Sequence, residues 1–482
     1  MRVLIAASEA VPYAKTGGLG DVTGALLKEF RLRDADASLM LPLYKVVKDN
    51  FTLCRTGALL HINAGGRYVG AEIWVSEKSS SPRAYFIDCE ELYERPELYG
   101  TAEGDYDDNA LRFAFFSRAV LEACSAMNIR PDVIHCNDWQ TAMIPLYLKA
   151  FYRKKNLGRT ATLFTIHNLG YQGLFRPSDI RYAGVGWNYF TPERLEFHGM
   201  LSFMKAGLLY GDLLNTVSAT YAGEILEKEH GFGLEGVLRQ RRDDLLGVMN
   251  GVDYNEWDPS TDALIPANYR VGEMQGKAKC KKRLLRETGL SDERAPLLGV
   301  VSRLSSQKGI DLIVESADAL ISLGVNVVVL GKGEEHFRNL LEKVSQRHRG
   351  RIFFQSGFEE SIAHLIYAGC DFLLMPSRYE PCGLGQLIAL RYGTVPVARQ
   401  TGGLADTIRD YDHLQSEGTG FLFADYTPSA LQNAVKRALC VYANKGRMGK
   451  LVADAMREDF SWGRSAEKYL ALYEKAMKKV AG

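Results

Sequence analysis

A chain of 482 residues is too long for one compact core and long enough for two or three domains. Its apolar fraction of 46% and charged fraction of 24% are those of an ordinary globular protein. With 59 Lys and Arg against 58 Asp and Glu, the net charge of +1 offers no electrostatic case for a nucleic acid or an anionic membrane, though a local basic pocket for phosphates remains open.

The first predicted element is a buried strand at residues 3–7. Ser8 and Glu9 interrupt its apolar run too soon for a signal peptide, and no later run is long enough to span a bilayer. The eight cysteines are scattered, with neither zinc-site nor C-x-x-C spacing. A soluble protein of a reducing cytoplasm is expected. Further strands are predicted at 84–87, 133–135, 161–166 and 213–217, with helices at 111–127 and 139–150. The second half repeats the alternation, with strands at 297–301, 325–330, 352–356, 372–375 and 394–398 and helices at 309–323 and 384–391. Strands that are continuous apolar runs separated by helices predict an α/β chain with buried parallel sheets. Two such blocks predict two doubly wound domains, residues 1–247 and 248–460. A final amphipathic helix, 461–482, carries Tyr469, Leu470, Leu472 and Tyr473. Open parallel sheets bind ligands beyond the carboxyl ends of their strands, so two facing sheets place the ligand between the domains and direct attention to the residues that follow each strand.

Lys15-Thr16-Gly17-Gly18-Leu19-Gly20-Asp21 leads from the first strand into a helix. Adjacent glycines allow close backbone approach, and a cation stands beside them. An ordinary glycine-rich turn explains the pattern as well, and the spacing is not the G-x-G-x-x-G of a dinucleotide site, which removes a dehydrogenase reading. Asp105-Tyr106-Asp107-Asp108 contains a D-x-D, which holds a metal in some sugar transferases; ahead of a helix, capping is the preferred reading. His135-Cys136-Asn137-Asp138-Trp139 and His167-Asn168 close two strands and resemble a sugar-binding wall, although by spacing alone His167 is better read as a satisfied buried histidine. Arg303 and Lys308 fall in one strand-to-helix loop. They are either two solvated loop cations or a pair that neutralises a leaving diphosphate. Glu380, between Tyr379 and Pro381, is placed to accept hydrogen bonds from sugar hydroxyls, and Cys382-Gly383-Leu384-Gly385 offers backbone N–H groups to phosphate. Thr401-Gly402-Gly403 repeats that logic one strand later.

Together and in this order, these segments resemble the bacterial glycogen synthases and plant starch synthases. KTGGLGDV, IHNLGYQG, SRLSSQKGID and EPCGLGQL carry the resemblance, which runs through essentially the whole chain. It implies the GT-B architecture, two Rossmann-like domains facing a cleft, with a C-terminal helix that crosses back onto the N-terminal domain. It implies a retaining glucosyltransferase that takes glucose from ADP-glucose to the non-reducing end of an α-1,4-glucan, with no metal in the active site and no cofactor. It assigns Lys15, His167, Arg303, Lys308 and Glu380 to the reaction centre. Gly17, Gly18, Asp21, Asn250, Phe358, Cys382, Gly383, Leu384, Gly385, Gly402 and Gly403 fall on the donor side, and Tyr106, Asn109, Asp138 and Trp139 on the acceptor side. Phe358 stands where the family often has Tyr, against the adenine, and Gly385 where it often has Thr. The alternatives are a GT-B enzyme using a UDP-sugar, disfavoured by Ile388 where many such relatives carry a second Glu, and a silent glucan-binding scaffold, disfavoured by the intact Lys15, Arg303, Lys308 and Glu380.

Overall fold

The structure, a computed structural model, describes residues 1–76, 83–101, 103–153, 157–291 and 294–481. The chain divides into two compact units. Met1–Val217, Ala222–Val248 and Trp462–Gly482 form the first; Ser218–Tyr221 and Met249–Ser461 form the second.

The first unit is built on nine strands: β1 (Arg2–Ala6), β2 (Asp36–Pro42), β3 (Leu53–Ala64), β4 (Arg67–Ser76), β5 (Arg83–Asp88), β6 (Val133–Asn137), β7 (Ala161–Ile166), β8 (Leu213–Thr216) and β9 (Leu245–Gly247). Their order is β9-β8-β7-β6-β1-β2-β5-β4-β3. From β9 to β5 every pairing is parallel. Strands β6 and β7 are buried at every residue, as continuous apolar runs covered on both faces require. The far edge departs from the all-parallel expectation, because β4 pairs antiparallel with both β5 and β3. Strand β3 alternates exposed and buried residues along much of its length, so one face meets water and no long apolar run marks it in the sequence.

Helices cover the parallel part. Gly18–Leu32 turns Leu19, Val22, Thr23, Leu26, Leu27 and Phe30 inward, the spacing of one helical face. The predicted helix at 139–150 is instead a 3-10 turn (Trp139–Thr141), a short α-helix (Met143–Tyr147) and a π turn (Leu148–Tyr152). Pro145 sits in the middle of it and lacks the N–H an unbroken helix would use. The terminal helix Trp462–Ala481 belongs to this first unit and buries Trp462, Ala466, Tyr469, Tyr473 and Ala476. Its ring of Tyr473 meets Phe30 with centroids 5.5 Å apart, Asn215 donates to the Tyr469 hydroxyl at 3.1 Å, and Lys479 donates to the carbonyl of Asp212 at 3.1 Å.

The second unit carries β10 (Leu297–Val301), β11 (Asn326–Gly331), β12 (Ile352–Ser356), β13 (Phe372–Met375), β14 (Val395–Arg399) and β15 (Phe421–Phe423), ordered β12-β11-β10-β13-β14-β15 and parallel throughout. This is the doubly wound dinucleotide-fold order, and its direction reverses between β10 and β13. Near the ends of this unit, the Val252 N–H donates to the Phe460 carbonyl at 2.8 Å. All eight cysteines are free thiols. Among the described residues no helix is long and apolar enough to cross a membrane.

Candidate active site

The loops after β10 and β13 flank the reversal point of the second sheet, and two charges meet there. The Lys308 ammonium lies 2.8 and 2.6 Å from the two oxygens of Glu380, and the Ser377 hydroxyl donates to the same carboxylate at 3.0 Å. Glu380 is 4% exposed. Gly309, with φ of 72°, closes the lysine turn, and a Cβ there would lie 2.0 Å from the Pro376 carbonyl oxygen. Only glycine accepts both that conformation and that approach. The loops are laced further: the Arg378 N–H donates to the Gln307 carbonyl at 2.8 Å, and Gln307 donates to the Tyr379 carbonyl at 3.4 Å. Arg303 is exposed and donates to Gln307 at 3.2 Å.

Beside this pair, Gln386 fixes the glycine-rich turn by donating to the carbonyls of Cys382 and Gly383, both at 3.0 Å. The Gly403 N–H donates to the Glu380 carbonyl at 3.0 Å, and a Cβ on Gly403 would lie 2.0 Å from the Cys382 carbonyl oxygen. Gly402 opens that same turn, and Leu384 packs its side chain on the core under Gly385. The backbone N–H of Asn250 points at the Cys382 thiol, which burial pushes up to about 12, so Cys382 is no nucleophile. The buried Asn250 Oδ1 has no hydrogen-bond partner among the described residues. Phe358, 67% exposed, follows β12, two strands or roughly 10 Å across the sheet from β10.

In the first unit the equivalent loops follow β1, β6 and β7. Glu9, buried just beyond β1, accepts from the Thr16 N–H at 2.5 Å, the Thr16 hydroxyl at 2.7 Å, the Gly17 N–H at 3.1 Å and the Tyr99 hydroxyl at 2.7 Å. That clasp presents Lys15, half-exposed and 2.6 Å from Asp21. Burial raises the Asp21 carboxyl, and Lys15 partly offsets the effect. Gly18 begins the helix that follows. An added Cβ on Gly17 would meet nothing within 4 Å, and its φ of −157° is open to any residue. Neither packing nor conformation explains a glycine there.

Beyond β6, Asp138 takes a left-handed φ of 53° and accepts the His167 N–H at 2.7 Å. Burial raises its carboxyl to about 7 against the backbone N–H groups of His167 and Asn168, which lower it. The His167 Nε2 lies 2.9 Å from Asn137 Oδ1, and burial holds that ring down to about 3. A neutral imidazole donating from Nε2 leaves Nδ1 as an acceptor.

Sequence comparison decides the family. A family model described as starch synthase catalytic domain matches residues 2–240, and one described as glycosyl transferases group 1 matches residues 281–450. A glycogen synthase from Thermodesulfovibrio yellowstonii is 43% identical across 98% of this chain and 97% of its own length, and one from Geotalea uraniireducens is 45% identical across 99% of both. This chain belongs to the glycogen and starch synthase family. Among solved structures, the catalytic domain of starch synthase IV from Arabidopsis thaliana, bound to ADP and acarbose, matches with a TM-score of 0.91 and 32% identity over 99% of each chain. A sucrose-phosphate synthase from Thermosynechococcus elongatus shares the fold at 18% identity and a TM-score of 0.63 over 98% of each chain. The chain is a glycosyltransferase of GT-B fold.

Against the sites expected for that family, the second unit gathers Lys308, Glu380, Gly383, Cys382, Gly403 and Asn250 around one strand reversal. Several first-unit residues are committed elsewhere. His135, expected in a sugar-binding wall, is fully buried, with Nε2 2.7 Å from the Thr165 hydroxyl and Nδ1 2.9 Å from that of Tyr473. Asn109 is buried, donates to the Tyr99 carbonyl at 2.8 Å and accepts from Arg112 at 2.7 Å. Trp139 is buried edge-on against Phe113 and Phe175. Tyr106 is half-buried, with its ring beneath Arg95 and Arg112 at 4.7 and 5.1 Å. Asp108 stands at the cap of the helix Asn109–Ala126 but makes no side-chain cap bond; its oxygens meet Arg95 at 2.8 and 2.5 Å. Glu9 escaped the sequence reading. A charged residue directly after a buried strand was its one signal.

Three groups set an acid response for the first unit. His135 and His167 are held near 3 by burial, against a usual 6.5, so unfolding below pH 6.5 takes up a proton at each and acid destabilises. Asp138 acts oppositely: between about 3.8 and 7 it holds a proton in the folded state that unfolding releases. The three together predict that stability falls with acid around pH 5, the two histidines outweighing Asp138, and that it falls more steeply in Asp138→Asn. Urea unfolding of both proteins at several acidic pH values measures the slopes, and equal slopes would mean that Asp138 is ionised in the folded chain.

Proposed function

We propose that this chain transfers glucose from ADP-glucose to the non-reducing end of an α-1,4-glucan, retaining the anomeric configuration and releasing ADP. The observation that carries the reading is the Lys308–Glu380 pair at the strand reversal of a Rossmann unit, in a chain similar end to end to glycogen synthases and to a starch synthase IV domain bound to ADP and acarbose.

In the second unit, Arg303 and Lys308 stabilise the charge that develops on the departing diphosphate, which raises rate because the interaction strengthens in the transition state. Glu380 accepts from hydroxyls of the donor glucose, the Cys382–Gly385 and Gly402-Gly403 turns offer N–H groups to phosphate, Asn250 Oδ1 takes a sugar hydroxyl, and the exposed ring of Phe358 stacks on adenine. In the first unit, Lys15 and the Gly17-Gly18 turn face the donor, with Asp21 holding Lys15. His167 stands near the anomeric carbon as a neutral acceptor, and Asp138 and Tyr106 lie toward the acceptor glucan, with Trp139 and Asn109 supporting them from beneath. No metal is assigned a role in the transfer.

Both Glu380 oxygens are engaged by Lys308, so Glu380 serves poorly as a nucleophile. We assign front-face attack, the donor phosphate helping to deprotonate the acceptor hydroxyl. No glucosyl-enzyme should then accumulate on any carboxylate, and trapping one by mass spectrometry would overturn the assignment.

Gly17→Ala separates ligand approach from fold. Its unfolding free energy should stay within about 0.5 kcal/mol of the parent, while kcat/KM drops by about 10²-fold because the donor cannot reach the backbone. Unchanged activity would remove Gly17 from the site.

Nucleotide release from ADP-glucose and UDP-glucose, with and without glycogen and in the presence of a chelator, tests the whole reading. Glycogen-dependent release of ADP that survives the chelator is expected, falling about 10²–10³-fold in Lys308→Met. Release from UDP-glucose alone would overturn the donor, and release from neither would favour a silent glucan-binding protein.

A further inference from the structure

We propose that Glu256, Glu360 and His364 form a binding site for a divalent transition-metal cation, with Zn2+ the best-matched ion, in the second unit and separate from the transfer residues. One ligand-capable atom from each of the three side chains lies within 4.8 Å of the others. Glu360 and His364 stand four residues apart on the helix Glu360–Gly369, so they share a face. Glu256 comes from the turn that Asp253 starts, where the N–H groups of Glu256 and Trp257 donate to the Asp253 carbonyl at 3.1 and 2.9 Å.

The histidine makes this more than an acidic cluster. His364 is 2% exposed. Its Nδ1 lies 2.8 Å from Asp262 Oδ2, an oxygen that also accepts the Tyr392 hydroxyl at 2.6 Å. The other oxygen of Asp262 accepts the Leu264 N–H at 2.8 Å. Asp262 therefore accepts the N–H of Nδ1 and leaves a lone pair on Nε2, which has no hydrogen-bond partner among the described residues. A carboxylate holding one ring nitrogen so that the other can ligate is the usual support of a metal-bound histidine. Trp257 stacks on the ring at 3.9 Å and 16°, which fixes its plane.

The donor set selects the ion. One imidazole and two carboxylates suit Zn2+ and its first-row neighbours, whereas Mg2+ and Ca2+ prefer oxygen alone. Zn–N and Zn–O bonds of about 2.0–2.2 Å bring tetrahedral ligands to roughly 3.4 Å apart. Glu256 and Glu360 are exposed and close that gap by side-chain rotation. The bound ion joins the turn at 253–258 to the helix Glu360–Gly369. Through Asp262 and Tyr392 it also reaches the end of the helix Gly385–Arg391, where Arg391 pairs with Asp258. Its role is to clamp these segments.

Chelator-treated full-length protein, dialysed against Zn2+ and read by elemental analysis, should hold one more Zn2+ per chain than the Glu256→Gln/Glu360→Gln double variant, whose changes fall on exposed side chains. Co2+ as a probe should quench the emission of Trp257, identified as the part of the fluorescence lost in Trp257→Phe, and leave it bright in the double variant. Asp262→Asn, which disturbs the positioning residue, should weaken Zn2+ binding by about 10–100-fold. Equal zinc content in the parent and the double variant would locate any bound zinc elsewhere and overturn the site, as would Co2+ quenching that persists without the two glutamates.

Discussion

Glu380 and Lys308 meet where the strand order of the second sheet reverses, and much of the local sequence exists to let them. A carboxylate that leaves water needs partners at hydrogen-bonding distance, and here an ammonium meets both its oxygens. That demands two loops from non-consecutive strands at van der Waals contact. Gly309 supplies the contact, its backbone pressed against the Pro376 carbonyl that any Cβ would strike, and Gly403, after β14, approaches the Cys382 carbonyl in the same way. Such a pair gains little net stability over two apolar side chains of similar size. What it provides is an ammonium and a carboxylate held in a fixed relation to each other.

The first unit reaches a comparable end by another route. Two buried acids, Glu9 and Asp138, each sit directly after a strand, and each spends its oxygens on N–H or O–H donors of the following loops. Glu9 shapes the loop that carries Lys15, and Asp138 sets the backbone from which His167 projects. The acids are satisfied by dipoles rather than by cations; Lys15 stands half-exposed beside Asp21, and burial holds the His167 ring down. Asp138 is protonated more readily than a surface acid because hydrogen bonds from two backbone N–H groups do not repay its burial.

Most of the parallel strands were legible because burial on both faces writes itself as an unbroken apolar run, and β7, β10 and β13 were bounded to the residue by it. Strand β12, only partly buried, was bounded to the residue as well, whereas β2, parallel and largely buried, was not predicted, its run being broken by Asp36 and Ser38. The antiparallel β3–β4 edge wets one face and carries no such run, and β9 and β15 are three residues long, too short for any period to register. Charge and glycine placement drew attention to the loops after β1, β10 and β13. Which side chain in a motif faces solvent was not legible: His135 and His167 both end strands, yet two hydroxyls close over the first and a single amide meets the second. One of those hydroxyls, on Tyr473, arrives from 338 residues away, a partner no local pattern announces.

Glycines divide the site into what the fold needs and what it does not. At positions 309 and 403 the chain itself forbids a side chain, so those residues would be glycine in a protein that bound nothing. At position 17 the backbone is extended and no described atom lies within 4 Å of an added Cβ, so the fold itself does not ask for glycine there. Position 385 is intermediate. A Cβ there would lie 3.3 Å from the hydroxyl of Tyr367 and 3.5 Å from Met375 Cε, contacts that a small shift of Tyr367 relieves. A threonine at 385 therefore depends on how the buried Tyr367 is seated beneath the turn, whereas the fold sets no such limit at 17. The same residue type in the same kind of loop is thus required by packing in one case and not in the other, and the space around each Cβ tells them apart.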